Sequence, residues 1–325
     1  MSPTEVTRPL RIPAAPVAGE RPLVSVVVPT RGRPALLRET VASVVAQTYD
    51  GPIECIVVHD QEPADDSLAD FARPDRQIIA VANTGAAGLA GARNCGTARS
   101  RGAFVASCDD DDVWHPTKLQ KQMDLLLARP ELVAVGSGLR LLFPGRSVEW
   151  PARAETIDRR VLLSNRVKEL HSSTLVMRRE TIERVGRYDE ELPKGNGEDY
   201  DWVLRLSAAG ALGCVIEPLA DIRKDARSWY QGDDRARTKA EALELFLSKH
   251  DEIRSSRRGH ARILGQIAWA YSNAGERGIA TRYVGRSLRR WYRAPFAYLA
   301  LFHIVTRIPA ERILKVTRRF GRGIT

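Results

Sequence analysis

From Leu23 onward, short apolar runs alternate with stretches whose apolar residues return every three or four positions. Leu23 to Val28 (LVSVVV) is a continuous, β-branched run, which predicts a strand buried on both faces of a parallel sheet. Between Arg33 and Gln47, Leu36, Leu37, Val41, Val44 and Val45 fall on one helical stripe, with Pro34 near its start, where a missing N–H costs nothing. Ile53 to Val58 and Gln77 to Ala82 read as further strands, and Gly88 to Ser100 as a helix in spite of its glycines. Ala103 to Ser107 reads as a fourth strand running into Asp109–Asp112, and a helix follows Pro116. Strands joined by helices of this length predict an α/β fold, a mostly parallel sheet flanked by helices. Ligands of such sheets sit at the carboxyl ends of the strands.

Residues 130 to 225 are mixed: a strand from Leu132 to Val135, a hairpin region, a strand from Ser173 to Met177, a short helix, then a helix from Asp199 to Ala209. From Arg235 the pattern is all-helical. Two stripes, Ile263 to Ala274 and Ile279 to Trp291, flank Gly275 as one helical hairpin, with no second copy at a fixed period. Residues 1–22 hold five prolines and no periodicity, and are expected to be a disordered arm. The expected division is therefore 1–22 arm, 23–234 catalytic α/β domain and 235–325 basic helical region.

Composition adds limits. The 325 residues (36.1 kDa) are 43% hydrophobic and 28% charged, which excludes a collagen, a wholly disordered chain and a polytopic membrane protein. The cysteines, Cys55, Cys95, Cys108 and Cys214, form no C-x-x-C pair, so they read as small buried side chains in a reducing compartment. The net charge of +10 is local. Eleven of the 50 lysines and arginines but one of the 40 acids lie from Arg282 onward, leaving the first 281 residues with 39 of each. No basic-then-apolar leader is seen, and the longest apolar run, Ala294 to Thr306, has thirteen residues where a spanning helix needs about 20. The expected location is cytoplasmic.

The chemistry concentrates in Cys108-Asp109-Asp110-Asp111-Asp112-Val113-Trp114. Four adjacent carboxylates repel one another. A solvated helix start explains them blandly; a site for Mg²⁺ or Mn²⁺, which take oxygen ligands, explains them better because the cluster directly follows a strand. In an extended segment Asp109 and Asp111 point to the same side. The glycines at 85, 88 and 91 make neither a dinucleotide fingerprint nor a P-loop.

Four motifs in order resemble the family 2 glycosyltransferases, nucleotide-diphosphosugar-dependent enzymes with a GT-A, Rossmann-like fold. They are Val24 to Tyr49 (VSVVVPTRGRPALLRETVASVVAQTY); Asn83-Thr84-Gly85 with Gly91-Ala92-Arg93-Asn94-Cys95-Gly96; Cys108 to Leu119 (CDDDDVWHPTKL); and Gly197-Glu198-Asp199-Tyr200-Asp201-Trp202 with Arg205-Leu206. The resemblance runs from Leu23 to about Asp225. It implies a hexosyltransferase-type enzyme (EC 2.4) of cell-surface polysaccharide or glycolipid synthesis that inverts the anomeric centre. The donor is a nucleotide-diphosphosugar and the acceptor a hydroxyl of a glycan, lipid-linked sugar or protein.

By that resemblance Pro29, Thr30, Arg31, Asp60, Arg93, Asn94, Asp109 and Asp110 face the nucleotide sugar. Asp109 and Asp111 are the D-x-D pair for Mn²⁺ or Mg²⁺, with Asp111 the direct ligand. Asp199 is the base and Glu198 orients it or the acceptor, although both also suit a helix start. His59, Gln61 and Glu62 depart from the usual pattern beside Asp60, which leaves the base open. His171, Trp114 and Trp202 are assigned to the acceptor side, against the default that a histidine or tryptophan of this kind is structural. Arg223, Lys224 and Arg227 are placed near the diphosphate, and Trp229 is a further sugar-stacking candidate.

Two readings of the basic end stay open: peripheral contact with an anionic inner membrane face, with Ile313, Val316, Thr317 and Phe320 as its apolar stripe, or a solvated helical cap. No helix-turn-helix, zinc or aromatic-sheet signature supports nucleic acid binding. The competing functions are a nucleotidyltransferase and a non-catalytic membrane- or nucleic-acid-associated binder.

Overall fold

The structure, a computed structural model, describes residues 21–193, 196–224, 235–310 and 312–313. Most of the expected N-terminal arm, Arg227, Trp229 and the stripe beyond Ile313 lie outside the described residues.

The chain opens with β1 (Val24–Thr30), α1 (Pro34–Val45), β2 (Ile53–His59), β3 (Arg76–Ala82), α2 (Leu89–Arg99), β4 (Phe104–Ser107), β5 (Val113–Trp114) and α3 (Lys118–Ala128). It continues with β6 (Leu132–Phe143), β7 (Arg146–Trp150), β8 (Thr156–Ile157), α4 (Arg159–Ser164), β9 (Val176–Arg178), α5 (Arg179–Val185), α6 (Glu198–Ala209) and β10 (Ala211–Arg223). Helices α7 (Arg235–Lys249), α8 (Arg257–Asn273), α9 (Arg277–Arg290) and α10 (Pro295–Thr306) follow.

One sheet runs β3-β2-β1-β4-β9-β6-β10-β5, with β7 added to β6 and β8 to β10. β3, β2, β1 and β4 are parallel, β9 is antiparallel to both β4 and β6, and β6 and β10 are parallel. Every residue of β1 and β2 is buried, as their unbroken apolar runs require. Alternate side chains serve opposite faces. Val24, Val26 and Val28 join Leu37, Val41 and Met123 under α1 and α3. Val27 joins Ala92, Trp202, Phe246 and Ile263 on the side of α2, α6, α7 and α8. The helices after residue 235 thus extend the core of the sheet's second face. A third cluster joins α8, α9 and α10 around Ala261, Ala268, Trp269, Ala297 and Ala300.

The sequence pattern and the structure differ at residues 172–174. The expected strand from Ser173 begins only at Val176, because Ser172–Thr174 form a 3₁₀ turn after His171. Three hydroxyls in a row bond locally and to the acid cluster, which competes with a strand ladder: Thr174 Oγ1 donates to the Glu169 and His171 carbonyls.

Candidate active site

Paired strands β1 and β4 end side by side, which brings two loops together. Thr30 Oγ1, at the end of β1, donates to Asp110 at 2.8 Å. Arg33 donates to Asp110 at 3.1 Å and to Asp111 at 2.7 Å. Asp110 is buried, and that burial pushes its carboxyl up to about 6. It therefore ties the two loops together.

Asp109 to Asp112 do not continue the strand. Asp112 N–H donates to the Asp109 carbonyl at 3.1 Å, closing a turn. The alternation that would pair Asp109 with Asp111 applies only to extended backbone. Here the ligand atoms of Asp109, Asp112 and His171 lie within 4.8 Å of one another, while Asp111 is engaged by Arg33. His171 thus stands against the acids, and not apart from them on an acceptor side. Ser173 Oγ donates to Asp112 at 2.5 Å, and Asp109 N–H donates to Ser173 Oγ at 3.0 Å. Asp112 also accepts from the Arg223 N–H at 3.1 Å. Burial, then the neighbouring charges of Asp109 and Asp111, hold the Asp112 carboxyl well above the usual range.

The donor set of two carboxylates and an imidazole fits a divalent cation, and the unrelieved repulsion among the acids is what such a cation relieves. Asp111, the expected direct ligand, reaches a cation only by parting from Arg33.

Arg93 joins this cluster to a second acid pair. Its guanidinium, 2% exposed, donates to Asp109 at 2.7 Å and to Glu198 at 3.3 Å, beside the Tyr188 ring. Burial opposes the charge on Arg93, but Asp109, Tyr188 and Glu198 together hold its pKa raised. Glu198 begins α6 after Gly197, whose φ of +100° is a left-handed turn that favours glycine. Burial raises the Glu198 carboxyl despite Arg93. Glu198 Oε2 and Arg93 Nε are buried without a hydrogen-bond partner among the described residues. Buried orphan atoms of this kind point to a ligand that completes them. Asp199, half-buried, pairs with Arg166 and accepts from the Tyr200 N–H at 2.8 Å.

Other expected site residues are structural in this arrangement. Asp60 is fully buried and accepts from Asn83 at 2.9 Å and from the Gly88 N–H at 3.0 Å, so its oxygens are spent on the loop before α2. Asn94 donates to the Tyr188 carbonyl at 2.9 Å and to Glu190 at 2.6 Å, and accepts from the Tyr188 N–H; it positions that loop and not a nucleotide. Pro29 is buried within β1, whereas Arg31 reaches outward, 3.9 Å from Asp60. Trp114 and Trp202 do not line an acceptor surface. Trp114 donates to the Ser173 carbonyl at 2.7 Å and is covered by Lys118, 3.8 Å above its ring. Trp202 stacks on Tyr188 at 4.5 Å. Sequence reasoning missed Arg33, Arg166, Ser172, Ser173 and Tyr188. Only the Ser172-Ser173-Thr174 hydroxyl run carried a visible signal.

Residues 25–186 match the model for "Glycosyl transferase family 2". The O-antigen biosynthesis protein RfbC of Myxococcus xanthus is 30% identical over 266 residues, which are 75% of this chain and 20% of that protein. The fold matches TarS residues 1–349 of S. aureus, determined with UDP-GlcNAc, with a TM-score of 0.60, 17% identity and 92% of each chain covered. It also matches the mannosyltransferase PcManGT of Pyrobaculum calidifontis, determined with GDP-Man and Mn²⁺, with a TM-score of 0.53, 18% identity and 97% and 87% of the chains covered. The chain spans from about a fifth to three quarters of the length of the curated relatives it matches. With a GT-A fold and the four motifs folded into one acid-lined region, the chain belongs to glycosyl transferase family 2.

Proposed function

We propose that this chain transfers a sugar from a nucleotide-diphosphosugar to an acceptor hydroxyl with inversion at the anomeric carbon, assisted by Mn²⁺ or Mg²⁺. The observation that carries the reading is Arg93: it touches both the acid cluster after β4 and the first residue of α6, so the metal-side and base-side carboxylates border one cleft.

Asp109, Asp112 and His171 are the residues to hold the cation, with Asp111 available once Arg33 releases it. When bound, the cation supplies a Lewis acid for the charge that gathers on the departing diphosphate. Arg31 and Arg33 add positive charge on the donor side. Asp199 accepts the acceptor's proton, for which Arg166 must give way, because a carboxylate held by a guanidinium is a weak base. The free Oε2 of Glu198 suits a hydroxyl of either sugar. A single base opposite the leaving group makes the displacement in-line and inverting. RfbC, named for O-antigen biosynthesis, supports a cell-surface glycan or a lipid-linked precursor as acceptor.

The test is a screen of nucleotide sugars for binding and slow hydrolysis with and without Mn²⁺. One donor should bind with Mn²⁺, release a nucleoside diphosphate, and lose binding at least tenfold in Asp111→Ala. Release of pyrophosphate instead would assign the chain to nucleotidyl transfer, and metal-independent binding would remove the cation.

A further inference from the structure

Helix α10 turns the usual packing order inside out. Its small residues Ala297 and Ala300 are buried against the α8 layer. The approach is close: a Cβ on Gly265 of α8 would lie 3.0 Å from the Ala297 backbone nitrogen and 3.1 Å from the Phe296 Cβ. The large side chains face outward. Val305 is 72% exposed, Tyr292 63%, Tyr298 49% and Phe302 48%, with Leu301 and Ile308 also exposed. Together with Pro295 and Leu299 they line a shallow apolar groove of about 640 Å³. Contiguous apolar surface of this kind marks an interaction site.

Charge selects the occupant. No Asp, Glu, Lys or Arg occurs from Ala294 to Thr306, and exposed Arg293 and Arg307 bracket that run. Arg293 lies 5.2 Å from the Tyr292 ring, and Tyr298 donates to the Tyr292 carbonyl at 2.6 Å, so cation and aromatics share one patch. Exposed Arg282, Arg286 and Arg289 precede it on and just beyond α9, in a segment that carries the whole net charge of the protein. An apolar surface rimmed by arginine matches the boundary between acyl chains and anionic headgroups. Twelve residues of helix reach about 18 Å, short of the roughly 30 Å hydrocarbon core, and no described helix is long and apolar enough to cross a membrane. The helix can therefore lie along a bilayer but not span it.

We propose that the outward face of α10, flanked by Arg293 and Arg307, docks this chain onto an anionic lipid bilayer with the helix in the plane of the interface. This holds independently of the donor and acceptor assigned above.

The experiment is flotation of the full chain with phosphatidylglycerol-containing vesicles and with neutral phosphatidylcholine vesicles, at low and high salt. The expected result is flotation with anionic vesicles at low salt, at least tenfold less at high salt or on neutral vesicles, and at least tenfold less for Phe302→Glu/Val305→Glu and for Arg289→Glu/Arg293→Glu. Both variants change exposed positions outside the catalytic region, so unchanged circular dichroism and donor hydrolysis check their fold. A full chain that stays in solution overturns the proposal. In that case, a dimer by light scattering that Phe302→Glu/Val305→Glu dissociates assigns the face to a second copy, and a monomer assigns it to the chain's own last residues. Equal flotation of both variants and the native chain overturns it as well.

Discussion

The acid cluster after β4 and the outer face of α10 break the same rule in opposite directions. One buries carboxylates; the other exposes aromatic and aliphatic side chains. The first is answered within the chain, by Arg93, Arg33, Thr30 and Ser173, each within hydrogen-bond distance. The second has only α8 and α9 behind it and, among the described residues, nothing over its outer face. Internally answered polar burial keeps a chemical site preorganised. Exposed apolar surface is left for something outside the molecule to answer.

Three substitutions sharpen that contrast. The largest effect belongs to Asp199→Asn, which keeps the carboxamide's shape but cannot take a proton. Sugar transfer should fall by about 10²- to 10⁴-fold, while Mn²⁺-dependent donor binding, measured by calorimetry, stays within about twofold. Undiminished transfer would remove Asp199 from the chemistry.

Next is Arg93→Met, which leaves Asp109 and Glu198 buried and facing each other without their shared cation. Removing one partner of a buried ion pair costs about 3–5 kcal/mol, to be read from urea denaturation. A loss below about 1 kcal/mol would mean that water, and not Arg93, compensates those acids. The smallest effect is expected at Val305→Glu, which should change stability by no more than about 0.5 kcal/mol. A large loss there would mean that α10 is covered in solution.

The unequal legibility of the molecule follows from sequence separation. β1 and β2 were readable because both faces of each strand are buried, so their β-branched runs are unbroken. The acid cluster was readable because four carboxylates in a row have few structural uses. What could not be read is the pairing across distance. Nothing near Arg33 reveals that it meets Asp111, and nothing near Arg93 reveals that it meets Glu198, 105 positions away. Local rules also misled where the backbone changed state. Alternation assigned Asp109 and Asp111 to one side, but the turn closed by the Asp112 N–H brings Asp112 back instead. Trp114 and Trp202 looked available for sugars because aromatic side chains serve both cores and glycans; burial decided for the core.

The cluster that joins Val27 and Trp202 to Phe246, Ile253, Ile263 and Ile267 sets where this chain can be cut. Tyr200 of the catalytic helix stacks on Phe246 at 5.0 Å, and Asp201 is 2.9 Å from His250. A chimera that exchanges everything after residue 234 for a relative's tail would strip the underside of the helix that carries Asp199. A graft meant to redirect the enzyme while keeping its turnover has to begin beyond α8, where the inherited part already ends in a finished surface.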